Sequence, residues 1–292
     1  TAMASWRIFE LIVKLGTHKT NIAALCILFV PSVSFWCTGI SKDSLVFISI
    51  LNLLYFIFNI MVLSSPIKLK HVLIILLSIF LIYHIRSFIL AAIAAPLFMS
   101  FGARLTKRYE KKFLTKLLLR SIIFLGGIFL FVQFFSSDFS SKMVAEAELV
   151  QSDFTENETY TGKRYEILNT DASPSGLIRA VPESVFYGIY KPFIYESLSP
   201  TLIMNGIESF VLMILTLKFF ISRDLFLKIK NIRKEEILVF SLIFAFFIAF
   251  MSGFTSVLFG VLVRIRAPLL PFFFLVLTAN AVLIGKKAKI EK

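Results

Sequence analysis

The chain has 292 residues, of which 58% are hydrophobic and 15% aromatic, with 34 Phe and a net charge of +13. A soluble domain holds roughly 45–50% apolar residues, so this composition excludes an ordinary globular enzyme and points to a polytopic membrane protein. Its mean hydropathy of +0.85 is carried by long apolar runs rather than alternation, which predicts an all-α transmembrane bundle and excludes an outer-membrane barrel. The basic residues flank those runs, so membrane topology accounts for the charge and no nucleic-acid partner is expected.

The chain opens on Thr1 without a recognisable signal peptide and is expected to be the C-terminal part of a longer protein. The stretch "SWRIFELIVKL" reads as a cytoplasmic interfacial helix or as the end of a truncated span. Eight apolar segments follow, at 21–39, 45–64, 72–85, 87–102, 117–135, 201–221, 237–253 and 268–285. Cys26 and Cys37 lie about 16 Å apart along one helix and are expected to be packing residues. The two short segments 72–85 and 87–102 share the interruption "HIRS". They read as a tight hairpin meeting at Arg86, or as one long broken helix.

With residues 1–20 cytoplasmic, 22 of the 31 Lys and Arg fall on the cytoplasmic face and nine outside, as the positive-inside rule requires. The exterior then carries one large loop, 136–199, with ten acidic and five basic residues. "NET" at Asn157 matches a glycosylation acceptor, a triplet common by chance. The second half, "PESVFYGIYKPFIYESLSP", predicts an amphipathic surface helix near 182–197. The whole chain reads as one integral-membrane domain.

Polar groups within spans are costly unless they face protein or water. Asn52 and Asn59 share one helix face, Asn205 and Glu208 another, and Asn280 lies in the last span. His84 and Arg86 crown the hairpin. Glu208, about two turns below the outer surface, must be paired, protonated or wet. Helix-to-helix hydrogen bonding accounts for the asparagines.

Arg264 and Arg266 lie outside on this topology, where positive charge is disfavoured. The residue before Pro268 is biased to extended geometry, and side chains two apart on an extended strand point the same way. Both guanidiniums are therefore expected to reach one target, joined by Arg86, Lys42 and Lys191. Guanidinium forks suit phosphate. The competing explanation is headgroup anchoring by snorkelling side chains.

Four stretches, in order, resemble a known family: "PSVSFWCTGISKDSL", "YHIRSFILAAIAAPL", "PESVFYGIYKPFIYES" followed by "NGIES", and "LVRIRAPLLPF". They are similar to motifs of the bacterial envelope polysaccharide polymerases (O-antigen and exopolysaccharide repeat-unit polymerases) and related membrane glycosyltransferases. The chain departs from that pattern at Ser87, Lys191 and Tyr195, where proline, arginine and tryptophan are expected.

The resemblance implies a multi-pass protein of the bacterial inner membrane. It would transfer a growing glycan from undecaprenyl diphosphate to the next lipid-linked repeat unit, alongside a chain-length regulator or flippase. A lipid-phosphate-sugar-dependent glycosyltransferase, a flippase and an inactive scaffold are the alternatives. Under this reading Arg86, Arg264 and Arg266 stabilise the leaving diphosphate, with Lys42 or Lys191 assisting. Asp43 or Glu196 serves as base for the acceptor hydroxyl, with Glu208 in reserve. Tyr187, Tyr190 and Tyr195 stack on sugar rings. No P-loop, GxGxxG, HExxH or GxSxG appears and no metal or other cofactor is expected. The internal repeats a transporter would show are absent.

Overall fold

The computed structural model describes residues 1–108, 174–197, 199–256 and 258–279, with isolated positions at 118, 121 and 126. Apart from those three positions the expected span 117–135 lies outside these, as do the first half of the expected external loop with Asn157, and Asn280. The described residues are helical, with no strand element among them. Among the described residues, four helices are long and apolar enough to cross a membrane, or five segments if one bent pair counts as a span. Two compact units divide the chain: residues 1–93, 213–245 and 267–292 form one, and 94–212 with 246–266 the other.

The first unit is built on α4 (Lys42–Met61), where the span expected at 45–64 lies. Ser41 caps it: its hydroxyl accepts the Ser44 N–H at 3.2 Å, satisfying one of the helix's orphan donors. Ahead of it run α1 (Ala2–Leu15), α2 (Thr20–Leu28) and α3 (Pro31–Trp36). The segment expected as one span, 21–39, is therefore broken between α2 and α3. Pro31 opens the second piece because it lacks the N–H that continuing the first would need.

α1 lies along α4 and buries Ile8, Leu11, Ile12 and Leu15. The Thr1 hydroxyl donates to the Cys37 carbonyl, and Arg7 Nη1 donates to Asn52 Oδ1 at 2.8 Å. Asn52 is near the middle of α4, about 15 Å below its first residue. α1 starts beside Cys37 and carries Arg7 to the middle of α4, where Asn52 and the Tyr55 and Phe56 rings, 6.0 and 5.7 Å away, receive its charge.

α1 ends on Gly16, whose φ of 66° is the left-handed turn glycine adopts without strain; its N–H closes the last carbonyls of the helix. The chain then places His18 in a buried turn. Its Nε2–H donates to the Leu275 carbonyl at 2.7 Å and its Nδ1 accepts the Thr17 hydroxyl at 2.9 Å. Burial holds this imidazole neutral and its pKa below the ordinary 6.5, against a smaller opposing effect of the carbonyl bond. The unfolded chain then takes up the proton first. Stability from His18 is complete above pH 6.5 and drains as pH falls through that value toward the folded pKa. Thermal midpoints at pH 7.5 and 5 should fall in that order, and His18→Gln should flatten the difference.

α5 (Leu69–Arg108) joins the two stretches expected as a hairpin or broken helix, with non-helical backbone at Arg86 (φ −149°, ψ 81°). The stretch before the break covers about 25 Å, close to the span of α4. In the same unit, Phe58, Phe240, Phe244 and Phe272 pack edge to face or stacked at 5.3–6.0 Å.

The second unit contains α6 (Pro174–Tyr190) and a 3-10 turn at Ile194–Glu196, and it includes the first half of α7 (Pro200–Ile221) and the end of α9 (Glu236–Thr255). A short α8 (Leu225–Ile232) precedes α9 in the chain. α6 differs from the surface helix expected at 182–197, ending at Tyr190 ahead of Pro192. It crosses α9 backbone to backbone: a methyl group on Gly188 would lie 2.0 Å from the Ala249 carbonyl oxygen, and one on Gly253 1.9 Å from that of Ser184. Small residues permit such an approach where lipid offers no hydrophobic drive. α10 (Phe259–Arg266) precedes the last expected span, 268–285, whose described part is α11 (Leu269–Leu277).

Candidate functional site

The structure sorts the predicted residues into two clusters, one in each unit. In the first, Asp43 occupies the opening turn of α4, where the helix dipole favours a carboxylate. The break at Arg86 brings that side chain to it: Arg86 Nη2 donates to Asp43 Oδ1 at 2.6 Å, with the two side chains 22% and 18% exposed. Lys42, beside Asp43, is exposed. The pair spans 43 residues of sequence.

In the second cluster Arg266 is fully buried. Its Nη1 donates to the carbonyl of Ile189 at 3.0 Å and to that of Lys191, and its Nη2 to Ser209 Oγ at 2.9 Å and the Asn205 carbonyl at 3.4 Å. The guanidinium thus closes the C-terminal carbonyls of α6 and ties them to α7. A cation suits that position, where the helix dipole is negative.

The shared target expected for Arg264 and Arg266 is corrected here. Their backbone is helical, so residues two apart project about 200° from each other; Arg264 is exposed while Arg266 faces inward.

Lys191 Nζ is bonded to Glu196 Oε1 at 2.9 Å and lies 4.5 Å from the centre of the Tyr187 ring, with Phe259 5.7 Å away. Glu196 Oε2 accepts the Phe193 N–H at 2.9 Å, so both of its oxygens are engaged in shaping the turn. Glu208 is buried on the α7 face that carries Asn205 and Ser209.

Among the tyrosines, Tyr187 donates its hydroxyl to Glu183; that bond, with lesser burial and charge effects, pushes the phenol up to about 12. Tyr190 packs on Phe186 at 5.2 Å. Tyr195 is 76% exposed and stacked at 5.5 Å on Phe193, which leaves its other face open for a ring.

No known family, characterised protein or solved structure matches this chain. The chemistry therefore rests on the two clusters themselves.

Glu183 and Ser209 were not among the residues expected from sequence. Ser209 had a legible signal, being four residues beyond Asn205 on the same helix face. Glu183 had the same one, four residues before Tyr187. Chemically, the first cluster offers an anion site in Arg86, while the second offers a fixed aromatic surface edged by Lys191 and Glu196.

Proposed function

We propose that this membrane protein assembles cell-surface polysaccharide from undecaprenyl-diphosphate-linked sugars, as a repeat-unit polymerase acting at the outer face of the bacterial inner membrane. The observation that carries the reading is how the four family-like stretches meet in pairs, one pair in each unit. "PSVSFWCTGISKDSL" and "YHIRSFILAAIAAPL" are joined through Asp43 and Arg86. "PESVFYGIYKPFIYES…NGIES" and "LVRIRAPLLPF" are joined through Arg266. Within each unit, stretches far apart in sequence are thus linked through a charged residue, and in the first the link is the Arg86 guanidinium itself.

In this reading Arg86 holds the diphosphate, a fork-shaped donor opposite a multi-oxygen anion, with exposed Lys42 adding charge. Arg264 is an exposed cation of the other unit, in which Arg266 frames the end of α6. Glycosyl transfer breaks the anomeric C–O bond to the diphosphate, which leaves with the electron pair on the lipid carrier, and forms a new C–O bond to the acceptor oxygen, whose proton passes to a carboxylate. Removing one donor that stabilises the leaving oxygens costs about 3–4 kcal/mol of barrier. Tyr195 is the tyrosine placed to stack on a sugar.

The test is Arg86→Gln in cells, at membrane levels equal to the unaltered chain, with the chain-length ladder of the surface glycan as readout. Single-repeat product with the long ladder lost is expected. An unaltered ladder would remove the proposal, and lipid-linked units retained on the cytoplasmic face would replace it with transport.

A further inference from the structure

Arg86 is only partly used. One N–H of its fork bonds Asp43, and the remaining N–H groups meet no acceptor among the described residues. The contact is one-pronged, although a carboxylate can take a guanidinium on two parallel bonds. Asp43 Oδ2 likewise has no bond among the described residues. The pair is neither sealed in the interior nor fully in water, at 22% and 18% exposure. It therefore holds together without the desolvation that makes a buried pair hard to open.

Both partners sit where opening leaves them supported. Asp43 keeps the helix N-terminus of α4, and Lys42 stands next to it. Arg86 lies at a one-residue break between two helical stretches. Non-helical backbone at such a place is tolerated where it is buried in protein or lines a polar cavity.

We propose that Asp43 is a resident competitor for the anion site of Arg86. In the unliganded chain its carboxylate occupies one prong of the fork. A diphosphate ester enters on the unused N–H groups, and its second oxygen takes over the bond Asp43 holds. This inference rests on the reading of Arg86 as a phosphate-binding residue. It adds that the site is held down by its own carboxylate until a stronger, multiply charged anion arrives.

The consequence is counter-intuitive for a residue in contact with the site: removing Asp43's charge should strengthen binding. The purified full chain in lipid nanodiscs is titrated with farnesyl diphosphate, and separately with inorganic pyrophosphate, which shares the anion but lacks the lipid. Asp43→Asn should bind farnesyl diphosphate at least about fivefold more tightly, since both a competing bond and a like charge are removed. Asp43→Glu, which keeps the charge, should stay near the native affinity. Arg86→Gln should weaken binding, with Asp43→Asn no longer giving any gain in the double variant.

The pyrophosphate arm separates sources: tightening for both anions means that the phosphate alone is recognised, and tightening only for the prenyl ester means that the lipid is part of the site. Should Asp43→Asn accumulate poorly, Asp43→Ser provides the second neutral variant. Unchanged or weaker binding in the neutral variants, with Arg86→Gln still weakened, overturns the competitor role and leaves Arg86 as the phosphate residue. Native binding by Arg86→Gln overturns the phosphate reading itself.

Discussion

Gly253→Ala should lower the unfolding midpoint of the protein by roughly 5–10 °C, since the methyl group it adds would make the closest approach of those added at Gly16, Gly39, Gly126, Gly188, Gly206, Gly253 and Gly260. The added carbon would stand 1.9 Å from the Ser184 carbonyl oxygen and 3.0 Å from the Gly188 nitrogen. Neither is a side-chain end that can swing away, so α6 and α9 must part. Gly188→Ala meets the same obstacle from the other helix, at 2.0 Å from the Ala249 carbonyl oxygen. One separation relieves both contacts, so the double variant should lose less than the two single losses added. Gly260→Ala is the control. Nothing lies within 4 Å of its added carbon, and a helical glycine replaced by alanine gains up to about 1 kcal/mol. Thermal melts followed by circular dichroism in one detergent compare the three directly. A Gly253→Ala midpoint equal to that of Gly260→Ala would mean that the helices do not cross at this distance.

The parts of this fold that were legible are those where one strong term decides. α4, Pro200–Ile221 and Glu236–Thr255 are uninterrupted apolar runs with a cap, proline or charge at the start. Burial of the runs fixes the elements, and the punctuation fixes their ends. What could not be read was how short elements respond to a proline. Pro31 breaks a run expected as a single span, and Pro268 does not impose the extended backbone expected for the arginine pair ahead of it. Its steric effect reaches only the residue before it, Ala267, so α10 continues through Arg266. The correct register was nonetheless present: Phe259, Leu262, Val263 and Arg266 follow the i, i+3, i+4, i+7 spacing of a buried face, and all four are buried. Reading a lone arginine as part of an apolar face runs against its cost in membrane, and only its acceptors explain it. Those acceptors are mostly backbone carbonyls from distant segments, which no side-chain pattern announces.

The two arginines of α10 should therefore part company when each is removed. Arg266→Ala leaves the carbonyls of Ile189, Lys191 and Asn205 and the Ser209 hydroxyl without the donor they now share. A buried acceptor that loses its partner costs about 1–3 kcal/mol, and several are lost together. That exceeds what a marginally stable protein can absorb, so Arg266→Ala should accumulate in the membrane at a small fraction of the normal level. Arg266→Lys should recover little, because one compact ammonium cannot span acceptors on both α6 and α7 that a planar fork reaches. Arg264 is exposed, so Arg264→Ala should reduce the membrane level far less than Arg266→Ala does. Under the proposed function it should still shorten the glycan ladder. Quantitative blots of membrane fractions beside glycan gels separate the outcomes. A well-folded Arg266→Ala with a short ladder would move that guanidinium from the frame of the unit to the ligand. An Arg264→Ala chain with normal level and a normal ladder would leave the phosphate to Arg86 and its neighbours on α4.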